Sequence, residues 1–236
     1  MYGDSEDLIG RWFRANPDKR KDIFLATKFA YKTLANGTTT IDSTPEYCLS
    51  ACDKSLERLG VPFIAHAVHP ITAVQMEYSP FALEIESPQF KLLETARELG
   101  VALVAYSPLG RGMLSGTLRS RADFGSGDLR AILPRFSEDN FPRNMVVVDR
   151  IAEIARNKSI TPAQLSLAWL LAQGDDIFPI PGTTRSERLV ENVGAVNAKE
   201  EEKAVRTECE SSEISGGRYP EAFAKACFAD TPSLKE

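Results

Sequence analysis

Residues 71–79, ITAVQMEYS, and 101–107, VALVAYS, are two short apolar runs of strand type. Between them Leu92, Leu93, Ala96 and Leu99 recur at helical spacing. Ser87-Pro88 supplies a hydroxyl cap followed by proline, and Gly100 ends the run. Strand 71–79, helix 87–99 and strand 101–107 thus form one predicted βαβ unit. Strands joined through such a crossover lie parallel, because a tight turn can link only antiparallel neighbours. Both runs are nearly continuous in apolar residues, the pattern of strands covered on both faces.

The same signals extend outward. DIFLATKF (22–29) and DIFPIPGT (176–183) are further strand-type runs. A helix is predicted from Thr44-Pro45 through Leu49, Cys52, Leu56 and Leu59 to Gly60. Another runs from the Thr161/Gln164 capping box through Leu165, Ala168, Trp169 and Ala172 to Gly174. Two more cover 144–157 (Val147, Ile151, Ile154, Ala155) and 185–196, after a Thr184/Glu187 box. At the start, Asp4 or Ser5 can cap a helix with Leu8, Ile9, Trp12 and Phe13 on one face. Residues 110–143 read as a long glycine- and arginine-bearing loop, and loops of that length are usually functional or mobile.

Alternating strands and helices leave a doubly wound sheet or a (β/α)8 barrel. Each strand carries its polar group late: Lys28, Gln75 with Glu77, Tyr106-Ser107, and Gly182-Thr183. Barrels place their active sites at those carboxyl ends. A doubly wound nucleotide binder should instead show a glycine-rich turn after its first strand, and no GxGxxG occurs. The barrel is favoured.

Composition narrows the function. A net charge of −5 and a pI near 5.3 argue against nucleic acid or an anionic membrane surface as partner. Two histidines, four scattered cysteines and no CxxC argue against a metal site. No secretory signal and no membrane-spanning apolar run is found, and a reducing cytoplasm fits best.

Five ordered motifs, MYGDSEDLIG, FLATKF, VQMEYSPF, VAYSPLGRGMLSG and IPGTTRSERLVENV, resemble the aldo-keto reductases, in the perakine reductase-like branch. The likeness runs from Met1 to about Asn197 and implies an α/β protein of the (β/α)8 TIM-barrel type. Residues 1–197 would be the barrel part, and 198–236 a C-terminal helix and tail whose charge run is a solvated face and whose SSEISGGRYP stretch reads as flexible. The barrel is expected to be incomplete. In the family a strand ending in aspartate leads into the Tyr2-Gly3 turn, and none precedes it here. The stretch LGVPFIAHAVHPITAVQ passes from helix to strand where the family has two further strands, and a parallel crossover alone needs about a dozen residues.

By this resemblance the cofactor is NADPH and the substrate a small aldehyde or ketone. Tyr2 is the proton donor, and Lys28 lowers its pKa from about 10 by favouring the phenolate. The aspartate that pairs with the lysine and the carbonyl-orienting histidine are absent. Asp4 and Asp7 follow Tyr2 on a helix, and His66 and His69 match a helix end, so none of the four is assigned. Gln75 would hold the nicotinamide carboxamide and Tyr106 would stack on the nicotinamide ring. Ser107, Leu109, Gly110 and Arg111 would wrap the pyrophosphate. Gly182, Thr183, Thr184, Arg185, Arg188, Glu191 and Asn192 would form the adenosine site, with Arg188 on the 2′-phosphate. Each has a plain reading beside this one: a core tyrosine at 106, an exposed helix arginine at 188, a simple capping box at 184 and 187.

The expected function is that of an impaired NADPH-dependent carbonyl reductase. The alternatives are a non-catalytic NADP(H)-binding or interaction protein and a truncated gene product. Stepwise loss of a whole strand-helix-strand would expose core at every step, whereas altered message processing removes it at once. Genomic DNA between the codons for Gly60 and Ala65 should therefore hold an unread stretch encoding two strands, the first ending in histidine. Sequencing the locus and its transcripts checks this, and continuous coding DNA there would refute it.

Overall fold

A computed structural model describes residues 4–23, 25, 27, 31–34, 36, 37, 39–42, 44–61, 72–88, 91–198, 202–210 and 214–221. Its contacts divide into two units, residues 1–70 with 230–236, and residues 71–229. Among the described residues, no helix is long and apolar enough to cross a membrane.

The first unit is built on α1 (Ser5–Ala15) and α2 (Pro45–Leu59). As predicted, Thr44 caps α2 by accepting the Tyr47 N–H, and Gly60 ends it in the left-handed conformation. The apolar face expected for α1 is not the buried one. Gly10 and Phe13 are buried, whereas Leu8, Ile9 and Trp12 are exposed. The reason is close helix contact at Gly10, where a Cβ would stand 2.2 Å from the Arg58 carbonyl oxygen. Arg58 also pairs with Asp7 at 2.7 Å and Glu6 at 3.2 Å, which fixes the facing sides. Phe13, Leu25, Leu59 and Val61 form the small core.

Between the helices, β1 (Tyr31–Thr33) and β2 (Thr39–Ile41) pair antiparallel. This hairpin was not expected, although Asn36-Gly37 signals one and Gly37 takes a φ of 81°. The strand predicted over 22–29 lies largely outside the described residues, Asp22 closing a 3₁₀ turn over Pro17–Asp22.

The second unit contains β3 (Ala73–Glu77), α3 (Leu92–Glu98), β4 (Ala102–Tyr106), α4 (Asn140–Asn157), α5 (Pro162–Ala172), β5 (Ile177–Pro179), α6 (Ser186–Val193) and α7 (Glu202–Glu210). Strands β3, β4 and β5 form a parallel sheet in that order, with Gln75 opposite Val104 and Glu77 opposite Tyr106. The parallel βαβ expectation is met. Cover differs between the two faces: Leu103 and Ala105 are fully buried, while Ala102, Val104 and Tyr106 are half-buried. The main core, with α4 and α5, packs on the side of Leu103 and Ala105.

Helix α5 is apolar nearly all round, and seven consecutive or near-consecutive residues, from Ala163 to Leu170, are buried. Such a helix belongs inside a core rather than on its surface. Its Thr161/Gln164 capping box forms as predicted. Two other predicted caps do not. Helix α3 starts at Leu92, not after Ser87, because Lys91 turns left-handed (φ 46°). The helix is thereby shortened, and Leu99 falls outside it and is exposed. Helix α6 is capped at Arg185 with no side-chain bond, so the Thr184/Glu187 box is not made.

The long loop is held by its own apolar residues. Met113, Leu114, Leu118, Leu133 and Phe136 are buried. Phe124 meets Phe136 and Phe141 edge-on, flanked by the guanidiniums of Arg121 and Arg130. The tail's charge run, residues 199–203, lies outside the described side chains, but the helix that continues it packs inward. Val205 and Cys209 of α7 are buried, and Arg206 pairs with Glu86 at 2.8 Å beneath the Trp169 ring. Leu170→Ala, which empties a fully buried site in α5, should cost about 2–5 kcal/mol in urea unfolding.

Candidate cofactor site

Beyond the carboxyl ends of β4 and β5 lies a cleft of about 380 Å³. Ser107, Leu109 and Arg111 of the loop after β4 form one side. Gly182, Thr183 and, from α6, Arg188, Glu191 and Asn192 form the other. Eight of the sequence-predicted cofactor residues therefore meet in one place. Gln75, Tyr106, Gly110, Thr184 and Arg185 do not line it: Gln75 and Tyr106 sit half-buried in the sheet beside it. Tyr2 and Lys28, the predicted catalytic pair, lie outside the described residues, as do His66 and His69. The unassigned Asp7 is committed elsewhere, its carboxyl held below the usual range by the hydrogen bond from Arg58.

The loop after β4 turns so sharply that four of its residues have positive φ: Ser107 (51°), Gly110 (57°), Arg111 (56°) and Gly112 (95°). Two of these carry side chains, and a left-handed backbone at such residues is strained. The surroundings hold it. The Gly110 N–H donates to the Ser107 carbonyl at 2.9 Å, and Arg130 Nη1 donates to the Arg111 carbonyl at 3.2 Å. Arg130 is itself anchored to Asp128 at 2.6 Å and stacked on Phe124.

Cations dominate the cleft. Arg111, Arg130 and Arg188 all line it, and among the described residues neither Arg111 nor Arg188 forms an ion pair with a carboxylate. Arg188 Nη2 lies 3.3 Å from the Thr117 hydroxyl. Burial, and after it the charge of Arg218, weaken the hold of Arg111 on its proton. Phosphate oxygens suit such a lining, because guanidinium donors and turn amides present N–H groups in fixed directions. Among the described residues, no group of three His, Cys, Asp or Glu could hold a metal ion.

Glu77, at the end of β3, stands beside this cleft with its side chain only 12% exposed. It pairs with Arg135 at 3.4 Å and with Arg218, which comes from the tail. Burial raises its pKa in spite of both arginines. Burial likewise pushes the Tyr106 phenol up, against the pull of Arg218.

The tail segment that brings Arg218 is fastened by Asn144. This fully buried side chain donates to the Ser215 and Arg135 carbonyls, each at 2.9 Å, and accepts the Ser215 N–H at 2.8 Å. Arg130, Arg135, Arg218 and Tyr219 were not singled out from sequence. The signal for the last two was the Gly216-Gly217-Arg218-Tyr219 run, read as flexible.

The fold and cleft define an α/β protein with a parallel sheet and a cationic cleft at its strand ends. The Aldo/keto reductase family profile matches residues 1–65 and 63–212, and the chain belongs to that family. The chain is similar to the aldo-keto reductase yakc [NADP(+)] of Schizosaccharomyces pombe. The two are 40% identical over 282 aligned residues, covering 99% of this chain and 83% of the relative. The aldo-keto reductase str7 of Strobilurus tenacellus is 42% identical over 284, covering 100% and 82%. A glycerol dehydrogenase from Gluconobacter oxydans shares the fold at a TM-score of 0.74 and 18% identity, covering 98% of this chain and 79% of that one. An aldo-keto reductase from Bacillus halodurans does so at 0.65 and 17%, covering 92% and 80%.

Asn144→Ala should release the tail. Three hydrogen bonds to a buried side chain are lost and their partners left unpaired, costing about 1–3 kcal/mol. Limited proteolysis should then cut within 214–221 faster than in the parent protein.

Proposed function

We propose that this chain binds NADPH in the cleft between the loop after β4 and α6, and that it is a carbonyl reductase by descent with low turnover. One observation carries the binding half: eight residues expected to hold the cofactor converge on one cleft whose arginines 111 and 188 pair with no carboxylate among the described residues. Ser107, Leu109 and Arg111 would hold the pyrophosphate, Arg188 the 2′-phosphate, and Glu191 and Asn192 the adenine. Gln75 would fix the carboxamide and Tyr106 the ring face. The name of the fission yeast relative, which includes NADP(+), supports the choice of cofactor.

Bound NADPH would supply the hydride for a small aldehyde or ketone. Tyr2 would protonate the forming alkoxide, its phenol made more acidic by the Lys28 ammonium. The histidine that would orient the carbonyl belongs to an internal segment missing between about residues 61 and 66, so that 1–197 would be an incomplete barrel followed by the tail 198–236. Two observations support the gap. The 282-residue alignment with the fission yeast relative exceeds this chain's 236 residues, so at least 46 positions of that relative face nothing here. The two stretches matched by the family profile also meet at residues 63–65. The buried free thiol of Cys209, with its pKa pushed up to about 12 by burial, fits a reducing cytoplasm.

Calorimetry with NADPH and NADH tests the binding. Arg188→Gln should weaken NADPH about 10-fold or more and leave NADH nearly unchanged, because only NADPH carries the 2′-phosphate. Loss of a carbonyl-orienting donor should lower aldehyde turnover roughly 100- to 1000-fold below that of an intact relative. Absence of NADPH binding would overturn the proposal. Turnover at the intact relative's rate would overturn its second half.

A further inference from the structure

Arg218 occupies an unusual place for a tail residue. Its guanidinium carbon lies 4.6 Å from the centre of the Tyr106 ring and 5.1 Å from that of Tyr219. Its Nη2 donates to the Ser107 hydroxyl at 3.3 Å, and its Nη1 pairs with Glu77. One side chain thus touches the aromatic ring at the end of β4, the strained serine that follows it and the carboxylate opposite.

The arrangement carries a net positive charge. Arg111, Arg135 and Arg218 gather around Glu77 and Glu84, three cations against two carboxylates. Arg135 divides its attention between both acids, at 3.4 Å to Glu77 and 2.9 Å to Glu84. Arg111 stacks on Tyr219 at 5.3 Å, which extends the cationic layer toward the cleft. Arg218 is held there by its backbone neighbours as well as its side chain. Ser215 is bonded to Asn144, the Gly216 carbonyl accepts from Arg135 at 3.3 Å, and Gly216 has a φ of 89° with no room for a Cβ beside Pro134.

We propose that Arg218 is a specificity residue for the redox state of the nicotinamide, favouring the neutral reduced ring over the cationic oxidised one. The inference rests on the reading of Tyr106 as the platform for that ring. An aromatic face attracts cations, so a bare tyrosine would favour the oxidised nicotinamide. Here the ring already serves a guanidinium. A second positive charge on the same ring gains less from it and meets the like charge of Arg218 across that ring, in a partly buried site where screening is weak. The reduced ring is uncharged and loses nothing.

The test compares dissociation constants for NADPH and NADP+ by calorimetry, in the full chain and in Arg218→Gln and Arg218→Lys. The parent protein should bind NADPH more tightly than NADP+. Arg218→Gln should reduce the preference about 3- to 10-fold, mainly through tighter NADP+, and Arg218→Lys should keep most of it. An equal loss of affinity for both forms would mean a purely structural role and would overturn the inference. So would an unchanged ratio in Arg218→Gln. Should that variant not fold, equal affinities in the parent protein overturn it as well. Failure of the parent protein to bind either form overturns the cofactor reading itself and this inference with it.

Discussion

Parallel pairing of β3 with β4 puts Glu77 opposite Tyr106, and much of the second unit follows from that register. Parallel strands bring their carboxyl ends to the same edge, so polar groups placed late in each strand collect on one side of the sheet. A carboxylate brought there by Glu77 is largely out of water, and an unpaired buried charge would cost several kcal/mol. Its partners cannot come from the neighbouring strand, whose register partner is a tyrosine. They come instead from distant chain: Arg135 from the long loop before α4, and Arg218 from the tail. Both segments are therefore fixed by a need that arises on β3. The long loop is ordered by its phenylalanines, and Asn144 then ties Arg135 and the tail together.

A second constraint acts from the opposite face. Helix α5 has no polar side to show to water, so it must be covered all round. The sheet covers part of it, α4 another part, and α7 closes over the Tyr78–Trp169 pair with Val205 and Cys209. The polar edge of that closure is built like the one around Glu77. Arg206 lies over the Trp169 ring and pairs with Glu86, which also accepts from Tyr78. In both places a tail arginine combines an aromatic face with a carboxylate, the pairing for which a flat guanidinium is better suited than a lysine. Residues 202–210 and 214–221 are thus structural parts of the second unit.

What could be read in the sequence was whatever local chemistry decides. Hydroxyl caps with proline gave α2 and α5 nearly to the residue, and apolar runs gave β3, β4 and β5. The cleft was legible through its motifs, since Ser107–Arg111 and Gly182–Asn192 each lie within one short stretch. Long-range pairing was not legible. Nothing near Arg218 announces that it will meet Glu77, and a Gly-Gly-Arg-Tyr run reads as flexible until Asn144 is seen to hold it. The buried face of α1 was misjudged for a similar reason. Gly10 permits a backbone approach to α2 that hydrophobicity does not record, and contact follows the glycine. The α3 cap failed because Lys91 breaks the helix after Pro88, at a residue type that gives no warning.

The division of the chain also bears on which half of the chemistry can persist. All the described cleft residues belong to the unit of residues 71–229, and the strands behind them pair consecutively, β3 with β4 and β4 with β5. The loop after β4 and the N-terminal turn of α6 therefore depend on a sheet that lies wholly on one side of the proposed gap. The proposed proton donor Tyr2 and its proposed lysine partner fall within residues 1–70, on the other side of the proposed gap at about 61–66. A parallel barrel couples its halves only through strand neighbours, because each crossover serves the pair it connects. Loss of strands in the proposed gap would leave the register within the β3–β4–β5 sheet intact. On the proposed reading, phosphate recognition, which needs a few donors on a single rigid element, would survive such a loss. Hydride transfer, which needs donor, acid and carbonyl held within a fraction of an ångström, would not.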